Sequence, residues 1–391
     1  QTRMTDRPAP RFRYQLLIFT LTRLVLNTGT RMFYPFLSTF QRGLGVDLVA
    51  MSAALSIRSL AGAISPFISP LADRKGRKLS MLLGLGTFAA GAGLMTLFPG
   101  FPAFVAALSL GFLGMFVFMS AMQAYVADTT PFDRRALALS ISEMGWSLSF
   151  IFGMPVIGAL LQYFDWSAPF PFLLGLTLVM MALVIIFVPN TRPPGSDEER
   201  QRSSFKVVLA SPAALAGLAV CLCMVAANET ITVVFGLWME DAFGLQLAAL
   251  GFASAVIGAA ELGGESSGAA LVDRLGKRRA VYGGLCLVTT MVLILPWMKF
   301  NLYAALAALF IFYLSFEFTF MGILPVMTEL LPAARGAVMG AMVASFSLGR
   351  MFGDLLSPWI YRFGFRANTL AAAALILLAA YAFSRIKVKS D

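Results

Sequence analysis

The chain has 391 residues, 59% of them apolar or aromatic and only 13% charged, with a net charge of +10 and no histidine. A soluble domain holds about 45–50% apolar residues even with glycine counted, and about 25% charged ones. No soluble interior of this size hides that much apolar surface, so the excess must face lipid, and the lack of histidine excludes histidine-based catalysis and metal binding.

Twelve apolar runs, each near or above the roughly 20 residues that cross a bilayer, follow one another along the chain. The first, 14–40, places Arg23, Asn27 and Arg31 four residues apart, on one helical stripe. The second, 46–71, holds Arg58 and ends in the hairpin Leu71-Ala72-Asp73-Arg74-Lys75-Gly76-Arg77-Lys78. The third, 79–98, carries Gly84, Gly86, Gly91 and Gly93, which permit close helix packing, and the fourth, 101–127, is followed by Asp128. The fifth, 135–163, contains Glu143, and the sixth, 167–189, has no charge. Next comes the polar, proline-rich stretch from Pro189 to Arg200, which reads as a linker. The seventh run, 207–239, holds Glu229. The eighth, 245–271, holds Glu261 and Glu265 and leads into Leu271-Val272-Asp273-Arg274-Leu275-Gly276-Lys277-Arg278. The ninth, 279–298, is uncharged inside; the tenth, 301–328, contains Glu317 and is followed by Glu329. The eleventh, 334–361, carries Ser347, Arg350, Asp354 and Ser357 on one stripe, and the twelfth, 366–385, has no interior charge. Cys221, Cys223 and Cys286 fall inside runs and read as small core residues.

The second hairpin repeats the first 200 residues later, and Leu148, Phe152 and Gly153 answer Leu348, Phe352 and Gly353. The expected fold is all-α integral membrane: twelve transmembrane helices in two six-helix bundles related by a parallel pseudo-two-fold repeat. The expected domains are 1–189, an N-terminal bundle; 190–206, a cytoplasmic linker; and 207–391, a C-terminal bundle.

Most of the 30 basic residues fall at the termini, the linker and the hairpin side; only Arg42, Lys299, Arg362 and Arg366 fall on the opposite side. This asymmetry predicts cytoplasmic termini in a cell inner membrane. It accounts for the charge through the anionic inner leaflet, with no nucleic-acid partner needed. The first run lacks a cleavage site and is read as a span.

Charges inside spans are costly and must face one another or water. They occur in the first two helices of each triplet and are absent from the third, so a polar cavity lined by the former is expected, with helices 3, 6, 9 and 12 outside. Each charge has a structural alternative. Arg350 and Asp354, four apart, neutralise each other or bind ligand. Glu261 and Glu265 pair with the basic hairpin or line the cavity. Glu143 is wetted from the cytoplasm. Arg23 and Arg58 are internal ion-pair partners or ligand groups. Glu229 and Glu317 lie deep, without a basic partner within one turn of sequence, and are the candidates for proton coupling. The substrate candidates are Asn27, Arg31, Arg58, Glu229, Glu317, Arg350 and Asp354.

Gly264-Glu265-Ser266-Ser267-Gly268 fits the pattern of a hydrolase nucleophile turn, but that turn needs a strand-to-helix elbow and a histidine. No phosphate-binding glycine loop followed by Lys-Ser/Thr is present, which argues against ATP-driven transport. No cofactor is expected, and the chain does not read as an enzyme.

The first hairpin resembles the loop 2–3 signature of the major facilitator superfamily, and Asp273 to Arg278 resembles its degenerate second copy. The resemblance covers essentially the whole chain. It implies a two-bundle transporter working by alternating access, with helices 1, 4, 7 and 10 around a central cavity. It also implies a conformational latch. Asp73 faces the start of helix 11, Arg77 pairs with Asp128, Asp273 faces helix 5 and Lys277 meets Glu329, locking the cytoplasmic side in the outward-open state. Met154-Pro155-Val156-Ile157-Gly158-Ala159 resembles in part, at Pro155 and Gly158, the helix 5 motif of drug/proton antiporters.

The leading expectation is proton-coupled export of a small amphiphilic or cationic molecule by a monomer. The alternatives are a facilitator or symporter of an anionic or zwitterionic nutrient, resting on Asn27, Arg31 and Arg58, and a lipid or lysolipid flippase. A receptor or scaffold is disfavoured by the lack of any loop long enough for a soluble domain.

Overall fold

The computed structural model describes residues 10–73, 76–190, 206–331 and 334–386. The chain there is helical. The first half contains α1 (Pro10–Arg31, continued after a break by Leu37–Leu44), α2 (Leu48–Asp73), α3 (Arg77–Leu97) and α4 (Phe101–Thr129). It then forms α5 (Phe132–Glu143, Gly145–Leu148, a π turn at Ser149–Gly153, and Met154–Tyr163) and α6 (Pro169–Phe187). The second half contains α7 (Pro212–Thr232, continued by Phe235–Phe243), α8 (Leu247–Leu275), α9 (Lys277–Ile294, ending in a 3-10 turn), α10 (Leu302–Leu330), α11 (Arg335–Tyr361) and α12 (Phe365–Ser384). The linker lies outside the described residues but for its two ends.

The repeat is visible in the backbone. Gly76 and Gly276, at the turn of each hairpin, take φ of 106° and 80°. Only glycine enters that region without a steric penalty, so each hairpin turns at the same place. The extensions of α1 and α7 end on Gly45 and Gly244, at φ 64° and 63°. Both helices also break in the same region. In α1 the break holds Pro35, which lacks an N–H; in α7 it falls at Val233 and Val234, within the β-branched run Ile231 to Val234. Pro155 likewise leaves a carbonyl one turn back without its donor, and the helix widens there into the π turn of α5.

Among the described residues, nine helices are long and apolar enough to cross a membrane, or ten if the bent pair Leu37–Leu44 and Leu48–Leu60 is one span. α1 and α11 fall outside that set, and they carry Arg23 and Arg31, and Arg350 and Asp354. α3, α6, α9 and α12 pack on helices of their own half, whereas α2 packs on α11 and α5 on α8 across the halves. Of the cysteines, Cys221 is buried, Cys223 half-buried and Cys286 exposed on α9, so the expectation of three core residues holds only for the first.

Glycines bring α5 and α8 into backbone contact. A Cβ on Gly158 would stand 2.6 Å from the Leu247 carbonyl, on Gly251 2.6 Å from that of Met154, and on Gly258 2.6 Å from that of Ser147. These approaches use the part of α5 after Gly145; the preceding segment, Phe132–Glu143, packs on α1 and α4. On the same side, opposite the hairpins, the breaks of α1 and α7 meet, where a Cβ on Gly236 would stand 2.8 Å from Pro35 Cα.

Candidate functional site

Four arginines lie within the spans, and each meets an acid. Arg58 on α2 is fully buried, and its Nη1 donates to the Thr30 carbonyl at 2.7 Å. Its Nη2 donates to Tyr34 Oη at 3.1 Å and to Asp354 Oδ2 on α11 at 3.3 Å. Ser59 Oγ donates to the same carboxylate oxygen at 2.5 Å. Two more α2 hydroxyls bind the α11 backbone: Ser52 Oγ donates to the Asp354 carbonyl at 3.2 Å, and Ser56 Oγ to that of Met351 at 3.3 Å.

Arg31 makes the second cross-half pair. Its guanidinium holds both carboxylate oxygens of Glu261 on α8, with Nη1 to Oε2 at 3.1 Å, and donates to the Trp146 carbonyl at 3.0 Å. It lies 3.9 Å from the Trp146 ring and 3.7 Å from that of Phe150. A bidentate pair with aromatic faces suits arginine's planar, weakly hydrated cation.

The other two pairs lie within a half. Arg23 Nη1 meets Glu143 Oε1 at 2.7 Å, and Gln123 Nε2 donates to the same oxygen at 2.9 Å. Arg350 Nε donates to Glu229 Oε1 at 2.6 Å. Arg350 and Asp354 therefore do not neutralise each other. Although one turn apart on α11, they pair with different helices, Arg350 with α7 and Asp354 with α2. Glu229, expected without a partner, is bound to Arg350, which lies far from it in sequence. Glu261 meets Arg31, not the basic hairpin.

Glu265 and Glu317 have no hydrogen bond or ion pair among the described residues. Glu317 on α10 is buried and Glu265 on α8 half-buried, and the two helices touch there: a Cβ on Gly264, the residue before Glu265, would stand 2.7 Å from Glu317 Cβ. Asn27 is buried with its Nδ2 unpartnered, and Glu229 Oε2 and Asp354 Oδ1 are likewise unpartnered.

At the hairpins, Arg77 Nε lies 3.1 Å from Asp128 Oδ2, and Lys277 Nζ 2.7 Å from Glu329 Oε1. Both pairs lie within one half. Asp273 is exposed and makes no hydrogen bond among the described residues, so the structure does not join it to α5. The Asp73 side chain lies outside the described residues.

Tyr34, Ser59 and Trp146 belong to this network and are absent from the sequence-derived candidates; Glu261, read from the sequence as a hairpin partner or a cavity residue, belongs to it as well. Tyr34 had a signal, since it extends the stripe of Arg23, Asn27 and Arg31 by one turn. Ser59 and Trp146 had none beyond adjacency to the charges they touch.

Twelve helices in two halves, with charged pairs shut between them and lipid-compatible helices outside, define a multi-pass membrane transporter. The model of the Major Facilitator Superfamily matches residues 19–353, and the chain belongs to that superfamily. It is thus a transporter of small molecules and not an enzyme. It is 24% identical to YceJ, an uncharacterised transporter of Bacillus subtilis, over 89% of each chain. It is 25% identical to Multidrug resistance protein 2 of the same organism over 85% of each. The quinolone resistance protein NorA of Staphylococcus aureus is 25% identical over 45% of this chain and 46% of its own. The fold matches a bacterial homologue of the lysosomal transporter Spinster in an inward-facing conformation, with a TM-score of 0.74 at 14% identity over 97% of this chain and 96% of that one. It also matches a peptide transporter, with a TM-score of 0.77 at 16% identity over 98% of this chain and 96% of the other.

Proposed function

We propose that the protein is a proton-coupled exporter of small amphiphilic or cationic molecules. One observation carries the reading. The four arginines within the spans are each taken by one acid, and Glu265 and Glu317 are left over, on helices that touch where Gly264 meets Glu317. Intramembrane carboxyl groups without a countercharge are costly unless they take up a proton or a cation. Bound in turn by either, this pair couples the two. The names of two relatives, a multidrug resistance protein and a quinolone resistance protein, fit export of this kind. The anionic-nutrient reading is weaker, because Arg31 and Arg58 are both engaged by acids.

The cross-half bonds lie from the middle of the molecule to the side opposite the hairpins. With cytoplasmic termini, this is the form closed to the outside. In the opening step, Arg58 leaves Asp354 with its half of the molecule. Arg350, one turn from Asp354 on the same helix, takes its place and releases Glu229, which takes up a proton from the outside. Exchange of partners along α11 thus links opening to protonation.

Proteoliposomes holding a lipophilic cationic dye and an imposed pH gradient test the reading. The wild type moves dye against the proton gradient, and Glu317→Gln and Glu229→Gln lose the dependence on it. Gradient-driven transport unchanged in both variants would falsify the coupling.

A further inference from the structure

We propose that the seam between α2 and α11, on the side opposite the hairpins, is a phospholipid site: an anionic phospholipid lays one acyl chain in the seam and sets its phosphate on Arg362.

A groove of about 220 Å³ opens between the two helices there, with Leu48 and Val49 on one wall, Leu355 and Leu356 on the other, and Trp359 and Arg362 at the rim. The walls are apolar and belong to helices that lie in lipid. The rim lies at headgroup depth for three reasons. α2 begins at Leu48, and α11 ends at Tyr361, where Gly364 at φ 87° turns the chain into α12. Trp359 is half-exposed, as aromatic side chains at a membrane interface are. Arg362 follows it by three residues and so shares its face.

Arg362 is also uncommitted. Of the other cations on this side, Arg366 lies 5.1 Å from the Trp297 ring, Arg42 lies 3.9 Å from Glu240, and Lys299, exposed after α9, is not among the residues that line the groove. Arg362 has no side-chain hydrogen bond or ion pair among the described residues. The acid nearest the groove in sequence, Asp47, is turned onto its own helix, accepting from the Ala50 N–H at 2.8 Å. An unpaired guanidinium at headgroup depth above an apolar slot matches a phosphate above an acyl chain.

The groove exists only while the halves touch. Ser52, which also lines it, donates to the Asp354 and Leu355 carbonyls at 3.2 and 3.4 Å. A lipid seated there contacts both halves, so by linkage it favours the form in which this seam is closed. The site stands apart from the central carboxyl groups and does not depend on what they bind.

A photoreactive phosphatidylglycerol, in nanodiscs of phosphatidylcholine, tests this by mass-spectrometric mapping. The expected crosslinks concentrate on Leu48 to Ser52 and Leu355 to Arg362, and excess phosphatidylglycerol competes them away. Arg362→Gln lowers them roughly five-fold, the loss of one cation–lipid contact, with the background on α6 and α9 unchanged. Val49→Trp, which fills the slot, removes them with Arg362 intact. Crosslinking spread as evenly over the seam as over α6, or equal in wild type and Arg362→Gln, overturns the proposal.

Discussion

Arg58 and Asp354 join the two halves of the molecule: Arg58 Nη2 reaches Asp354 Oδ2 at 3.3 Å, and neither side chain has appreciable contact with solvent. Breaking a buried pair leaves a charge without compensation, which costs about 3–5 kcal/mol, whereas replacing both partners by apolar groups is often neutral. Asp354→Asn is therefore expected to lower the midpoint of thermal unfolding in detergent, and Arg58→Met combined with Asp354→Leu to recover much of it. An unchanged midpoint in Asp354→Asn would show that the pair holds nothing together.

The glycines of the α5–α8 seam yield a conformational prediction. A Cβ on Gly258 would stand 2.6 Å from the Ser147 carbonyl and 2.8 Å from an Ile151 side-chain carbon. Gly258→Val is expected to keep this seam from closing. The rate at which a membrane-impermeant maleimide, applied opposite the hairpins, labels Asn27→Cys measures it. The rate should rise in Gly258→Val; equal rates in both proteins count against the seam as a gate.

The hairpin pairs should behave differently. Glu329 in the pair with Lys277 is nearly half-exposed, and exposed pairs contribute at most about 1 kcal/mol. Lys277→Gln should leave thermal stability almost unchanged and alter the transport rate. Asp73→Asn should shift the inward/outward balance and leave the ranking of transported dyes intact. An altered ranking would place the hairpin in the substrate path.

The spans, the repeat and the lipid-compatible helices were legible because they are written in local composition and a 200-residue offset. The partners of the charges were not. Arg350 and Asp354 share a stripe, so spacing suggested a local pair, but each points to a different neighbouring helix. Arg31 finds Glu261 on α8 in the other half, and no local pattern encodes that meeting. The runs 14–40 and 207–239 read as unbroken, yet both helices break; Pro35 stands in the α1 break, and the β-branched run Ile231 to Val234 around the α7 break is also common in unbroken spans. Glu317 was singled out for lacking a local partner and stayed unpaired. Glu229 was singled out for the same reason and found Arg350.

The central claim is that the leftover carboxyl groups bind a proton or a cation in turn. Its most direct test is proton release on binding, measured with purified protein in weakly buffered solution as a lipophilic cation is added. The account predicts that the wild type releases protons in proportion to the cation bound and that the variant Glu265→Gln with Glu317→Gln releases none. Saturable cation binding to the wild type without proton release would contradict it.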